Sequence, residues 1–191
     1  MENKERIMEC ALDLFYAKGY DAVGVQEIVE KAGITKPTLY YYFGSKLGLL
    51  KTILETNYKE IQRAIDEAAA YEGNVPQTLY RVAQAFVRVT ASHHKMYMLM
   101  MALFYSAREN EAYQAVKPLI HDFYRRIVNI FEQASHELGN MRGRQTAFAI
   151  GFVGVINHFI LLAGETEGET RQISEGEIRE LVNQFMYGIY S

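Results

Sequence analysis

Between positions 33 and 46 the chain reads Gly-Ile-Thr-Lys-Pro-Thr-Leu-Tyr-Tyr-Tyr-Phe-Gly-Ser-Lys. The side chains there that can do chemistry are hydrogen-bond donors and aromatic rings, with no carboxylate, histidine or cysteine among them. That set suits neither a metal centre nor a nucleophile with its base. It can donate to phosphate oxygens and base edges, and it can lay rings and a proline against sugar and methyl groups. An edge of this kind is what a DNA-reading protein needs.

The punctuation of the same segment says how the donors are held. Gly33 permits the positive φ that ends a preceding helix. Thr35 is placed as an N-cap, its hydroxyl available to an amide of the next turn. Pro37 falls in the first turn, where a missing N–H costs nothing. Gly44 then closes a helix of about two turns, and Ser45 caps its successor.

The rest of the chain supplies the frame. Its 191 residues are enough for a buried core, and 49% apolar with 23% charged residues is the balance of a folded domain. Three prolines and no sustained alternation of apolar and polar residues point to an all-α fold of about nine helices. The pattern predicts helices over 4–18, 25–32, 36–43, 45–70, 76–92, 95–107, 110–138, 142–164 and 174–190. Loops are expected at 140–143 and 164–172. Ser174 and Glu177 have the spacing of a capping box. The break at 71–76 and the short helices before it suggest a small head on a longer helical body, divided as 1–48 and 49–191.

Charge is distributed unevenly. The net charge of −3 gives no bulk attraction to nucleic acid. Residues 1–30 nevertheless hold three basic and seven acidic side chains, whereas 31–54 hold Lys31, Lys36, Lys46 and Lys51 with no acid. The single cysteine, Cys10, suits a reducing cytoplasm and reads as a small core hydrophobe. Residues 2–6 are charged or polar, so no secretory signal is expected.

From Tyr20 to about Leu54 the chain resembles the DNA-binding domain of the tetracycline-repressor (TetR) family of bacterial transcriptional regulators. Gly19-Tyr20, Val25-Gln-Glu-Ile28, Lys31-Ala-Gly-Ile34, the run from Thr35 to Phe43 and Ser45-Lys46 carry the resemblance. It implies a helix-turn-helix in which 25–32 supports and 36–43 enters the major groove. Lys36 would then meet a guanine edge or a phosphate, Thr38 a phosphate or a thymine methyl, and Pro37 an apolar surface. Tyr40 and Tyr42 would reach the backbone, Tyr40 alternatively a base, with Lys46 clamping a phosphate at a helix start. Thr35, Tyr41 and Gln26 complete the expected DNA-facing set, packing and simple solvation being the other roles open to Tyr41 and Gln26. Leu39 and Phe43 should be core. Many relatives carry threonines where this chain has Val23-Gly24-Val25, so Gly24 must serve as the cap and a hydroxyl contact is absent.

Beyond the break, residues 96–105 are apolar all round and include four methionines, a soft environment that can adapt to varied ligands. The resemblance implies a ligand cavity among helices four to eight. Met101, Phe104, Tyr105, His121, Tyr124 and Asn157 are the expected lining, ordinary core being the alternative for each, and a small apolar or amphipathic molecule the expected ligand. No cofactor is expected. The five histidines lack i+3 or i+4 partners, no phosphate loop, nucleophile elbow or paired carboxylate occurs, and no metal or catalytic centre is anticipated.

Residues 145–164 carry no charge and approach the length of a membrane span, about 20 residues. Gln145, Asn157, His158 and the missing basic flank favour a buried interface helix over a membrane. Ala147, Gly151 and Gly154 would admit a close neighbour, and the last helix offers Ile178, Leu181, Val182, Phe185 and Ile189. The family resemblance implies that these two helices pair with their mates in a twofold homodimer on a palindromic operator. The expectation is therefore a cytoplasmic, ligand-released repressor and not an enzyme. The alternative is a helical dimeric scaffold or protein-interaction module without an effector.

Overall fold

The computed structural model describes residues 3–188 apart from 140, 164, 167–168 and 171. The fold is all-α, with nine helices among the described residues. They are α1 (Asn3–Lys18), α2 (Val25–Ala32), α3 (Lys36–Phe43), α4 (Lys46–Ala68), α5 (Val75–Ser92), α6 (His94–Phe104), α7 (Glu111–Gln133), α8 (Gln145–Ala163) and α9 (Glu175–Tyr187). The 164–172 stretch, expected as plain loop, contains a two-residue antiparallel pair, β1 (Glu165–Thr166) with β2 (Glu169–Thr170). Ile189, Asn140 and Gly164 lie outside the described residues.

Two compact units result. The first comprises Met1–Glu60 with Ser92–Ile120, the second Ile61–Ala91 with His121–Ser191. The unit that holds the helix-turn-helix thus also takes in α6 and the start of α7.

In the first unit α1 buries Ile7, Ala11, Leu14 and Phe15, at the helical spacing expected of its apolar face, against α2 and α6. Gly33 adopts φ +62°, and the amides of Gly33 and Ile34 return to the carbonyls of Glu30 and Val29, closing α2. Gly44, at φ +71°, ends α3, and Ser45 Oγ accepts the Gly48 amide at 2.9 Å to start α4. One further glycine is required by contact. A Cβ on Gly48 would lie 1.9 Å from the backbone oxygen of Phe43, so α4 begins directly against the last carbonyl of α3. Leu49, Leu50, Ile53 and Leu54 of α4 are wholly or almost wholly buried.

Three consecutive residues at the α5–α6 junction each reach a different partner. His93 Nε2 lies 2.9 Å from the Glu60 carboxylate, His94 meets the Tyr16 ring edge-on, and Lys95 donates to Asp13 at 2.5 Å. α6 ends at Phe104, three residues earlier than its apolar pattern suggests. Ser106 is the cause, since its amide and hydroxyl both bond to the Leu103 carbonyl.

In the second unit aromatic rings of α5, α7, α8 and α9 interlock. Phe86 lies 5.1 Å from Phe123, Phe131 6.0 Å from Phe148, and Phe152 5.3 Å from Phe185, centroid to centroid. Burial of each such ring contributes roughly 1.5–3 kcal/mol. The last turn of α4 is capped from outside itself: Arg81 of α5 donates to the carbonyls of Ala68 and Ala70 and pairs with Glu72. A cation there also meets the negative end of the helix dipole. α7 stops at Gln133 rather than 138, and tighter turns take over as Ser135 and Glu137 bond back three residues. Ser174 and Glu177 form the expected capping box at α9.

Candidate nucleic-acid interface

α3 divides cleanly into two sides. Leu39 is fully buried and Phe43 is 9% exposed, which anchors the helix. Opposite them Lys36 and Pro37 are exposed, and Tyr40, Tyr41 and Tyr42 stand 46%, 84% and 38% exposed. The Tyr41 and Tyr42 rings meet edge to face at 5.3 Å, so Tyr41 projects outward while leaning on its neighbour.

Two side chains depart from expectation. Thr35 has the extended backbone of an N-cap, but its hydroxyl meets that of Thr38 at 3.0 Å and no α3 amide. The side-chain cap is therefore not formed, because a second hydroxyl one turn on competes for it. Gln26 is exposed on α2 and donates to Glu30 at 2.6 Å. Gly24 does act as the N-cap of α2, and it supplies no side-chain bond.

The basic stretch is partly spent on internal contacts. Lys31 donates to Asp13 at 3.1 Å. Lys46 donates to the carbonyls of Tyr20 and Val23, both at 3.0 Å, and its ammonium lies 4.2 Å from the centre of the Tyr20 ring. Lys46 is half-buried, so it is built into the turn between α1 and α2 instead of extending freely into solvent. Lys36 is exposed with no protein partner among the described residues. Lys18, close to the carboxyl end of α1, pairs with Glu27.

Sequence patterning missed three residues that set this geometry. Tyr20, 3% exposed, donates its hydroxyl to Glu111 at 2.5 Å and packs on Phe15 at 5.2 Å. Burial and the Glu111 carboxylate both push its pKa upward, keeping the proton on the phenol. Gly48 and Asp13 are the others; the signals in the sequence were the place of Tyr20 in the family resemblance and the adjacency of Gly48 to the Ser45 cap.

The expected ligand residues fall in two groups. Met101, Phe104 and Tyr105 cluster at the end of α6 in the first unit, Phe104 stacked on Tyr113 at 6.1 Å and Tyr105 73% exposed. His121, Tyr124 and Asn157 belong to the second unit, where His121 is exposed and Tyr124 half-buried against Phe123. Within that unit a cleft of about 610 Å³ opens between the end of α4 and α7. Asp66, Asp122, Arg125, Arg126, Asn129 and Tyr71 are among its walls, and none of the six expected residues lines it. Arg126 spans the cleft wall, paired with both Asp66 and Asp122. Burial, with the Glu137 carboxylate beside it, pushes the Tyr71 hydroxyl up to about 12. Among the described residues no cluster of three or more potential metal ligands occurs.

A short helix anchored by Leu39 and Phe43, turned from α2 by a left-handed glycine and presenting lysine and tyrosines to solvent, is a helix-turn-helix of the DNA-binding class. Residues 7–53 match the family model of bacterial regulatory proteins, tetR family. That match covers the helix-turn-helix and its flanking helices, about a quarter of the chain. The chain is 31% identical over 85 residues to the HTH-type transcriptional activator FasR of Mycolicibacterium smegmatis, covering 44% of this chain and 39% of FasR. The chain spans well under half the length of the curated relatives it matches first. The fold extends further than the sequence likeness. A putative fatty acid metabolism regulator of Clostridium perfringens superposes with TM-score 0.80 at 17% identity, over 96% of this chain and 98% of its own. The regulator FadR of Bacillus subtilis, solved in complex with stearoyl-CoA, gives 0.75 at 16% identity over 97% and 98%.

Proposed function

We propose that this chain is a homodimeric, sequence-specific DNA-binding regulator, a repressor that leaves its operator when a small apolar or amphipathic ligand binds. The observation that carries the reading is the two-sided α3, with Leu39 and Phe43 buried while Lys36, Pro37 and three tyrosines face solvent. In this reading residues 1–48 are the DNA-reading part and 49–191 serve ligand binding and dimerisation. The family's members are DNA-binding regulators and not enzymes, and such a protein works in the cytoplasm, where the DNA is.

Lys36 would choose among bases, since a lysine at the amino end of the recognition helix reaches guanine acceptors. Thr35, Thr38, Tyr40, Tyr41 and Tyr42 would contact phosphates, as would the remaining proton of Lys46, and Gln26 would do so from α2. FadR's stearoyl-CoA is an amphipathic acyl thioester, which supports the ligand class expected for Met101, Phe104, Tyr105, His121, Tyr124 and Asn157. The ligand would act through α4, a single helix that begins at the DNA-facing turn. It must bind more tightly to the form whose recognition helices are spaced wrongly for two half-sites.

Dimerisation through α8 and α9 draws support from the apolar face that they leave open. Gln145–Leu162 is long and apolar enough to cross a membrane, yet only 22% of that stretch is buried. Ile150 and Leu162 are 55% and 76% exposed, and α9 covers the other side through Phe185. A second copy accounts for that face, and it also supplies the second recognition helix that a palindrome requires.

The test begins with duplexes selected by the protein from a randomised pool. Lys36→Ala is expected to weaken binding and change the selected bases, whereas Tyr42→Phe weakens all sequences alike. If neither substitution alters binding, the recognition-helix assignment fails. Transcription from a promoter bearing the selected site reads the sign of regulation.

A further inference from the structure

Tyr20 joins two separate parts of the first unit through three contacts. Its ring lies under the Lys46 ammonium, its carbonyl accepts from Lys46, and its hydroxyl donates to Glu111, the first residue of α7. The next pair alongside repeats the connection. Asn110 caps α7 by accepting the Ala112 amide at 2.8 Å, and its own amide nitrogen donates to Asp21 at 2.7 Å. The first turn of α7 is thus bonded to the α1–α2 turn at two successive residues. A phenol that donates to a carboxylate gains negative character on its oxygen and ring, which strengthens the attraction of that ring for a cation on its face. Glu111, Tyr20 and Lys46 therefore form a line of carboxylate, phenol and ammonium. Lys46 stands two residues after Gly44, where α3 ends, and two of its three protons are held by the Tyr20 and Val23 carbonyls.

We infer that Glu111 is a positioning residue for DNA binding, acting through Tyr20 to hold the Lys46 ammonium with its third proton free for a phosphate. The inference rests on the DNA-binding reading above and adds to it a residue far outside the helix-turn-helix, on a route that reaches α4 at its first residue instead of running along it. The α6–α7 corner, by moving Asn110 and Glu111, sets where Lys46 points.

Operator affinity of the full chain, measured by fluorescence anisotropy on a duplex the parent has selected, tests this across a salt series. Glu111→Gln and Tyr20→Phe each keep the shape of the side chain. Each should weaken binding by about threefold to tenfold and lower the salt slope by about one, the signature of a lost phosphate contact. Glu111→Gln added to Lys46→Met should cost nothing beyond Lys46→Met alone. Full additivity, or single variants within about twofold of the parent, overturns the inference. Should Lys46→Met not fold, the slopes of the two single variants decide, because a merely structural role lowers stability without changing the slope. A parent that selects no duplex sinks the DNA-binding reading itself; a parent that binds normally beside inert variants sinks only this addition.

Discussion

Gly48 and the backbone oxygen of Phe43 stand so close that no side chain fits between them, a Cβ on Gly48 falling 1.9 Å from that oxygen. The blocking atom is main chain at the end of α3, and it cannot turn aside as a side chain would. Gly48→Ala must therefore push α3 away from α4. The expected cost is roughly 2 kcal/mol or more. Thermal denaturation would show it, together with a loss of operator affinity larger than the loss of stability explains. An alanine variant that melts and binds like the parent would refute the contact.

Gly24 presents the opposite case. Its backbone, φ −89° and ψ 153°, already suits an N-cap residue, and nothing lies within 4 Å of a Cβ built there. Gly24→Ser supplies the hydroxyl that α2 lacks and should stabilise the protein by a few tenths of a kcal/mol. It should also raise DNA affinity modestly, because the new hydroxyl sits at the amino end of the supporting helix. A parallel melt and binding titration would detect both, and a lower melting temperature would contradict the prediction.

Asp13 gathers Lys95 and Lys31, and the Lys95 hydrogen bond is the main cause that holds its carboxyl below the ordinary value of 3.8, against the opposing effect of desolvation. A depressed carboxyl stabilises the fold above its unfolded pKa, and that stabilisation disappears as pH falls through the folded value. As pH falls below the ordinary value of 3.8 the parent should thus lose stability more steeply than Asp13→Asn. Asp13 is partly exposed, so the difference should be small and shrink with added salt. Superimposable pH profiles for the two proteins would show that the pairing contributes nothing.

The open face of α8 yields a test of association. Ile150→Glu with Leu162→Glu places charges on two of its most exposed apolar residues, outside the core of the unit. Sedimentation should then show a monomer with the parent's helix content. Binding to the full palindrome should fall by about 100-fold or more while half-site binding is kept, since linkage of two sites is what is lost. A dimer that persists in this variant would move the interface elsewhere.

How much of this was legible in the sequence depended on the reach of each interaction. Gly33, Ser45 and the Ser174–Glu177 box could be read because a cap and its partner lie within four residues. Leu39 and Phe43 could be assigned to the core for the same reason, from spacing along one short helix. Thr35 has the cap position without the side-chain cap, because its hydroxyl is paired with that of Thr38. The end of α6 falls short of its apolar pattern, since Ser106 competes for the Leu103 carbonyl. Arg81 on the end of α4, Lys46 under the α1–α2 turn and Tyr20 on Glu111 were invisible, because they join residues 11 to 91 positions apart. The expected ligand residues rest on residue type and on the cavity the resemblance implies, and no pattern in the chain points to the charged cleft beside Arg126.

The make-up of the first unit bears on how this domain can be borrowed. Its polypeptide is discontinuous, with α1 to α4 closed by α6 and the first turns of α7. Cutting after Glu60 would strip Lys95 from Asp13, Asn110 from Asp21 and Glu111 from Tyr20 in a single step. A chimaera that grafts the amino-terminal segment onto a foreign sensor must therefore bring a matching α6–α7 corner with it. Moving this unit into another protein is a matter of transplanting two chain segments together, and the turn at Asn110 and Glu111 is the seam.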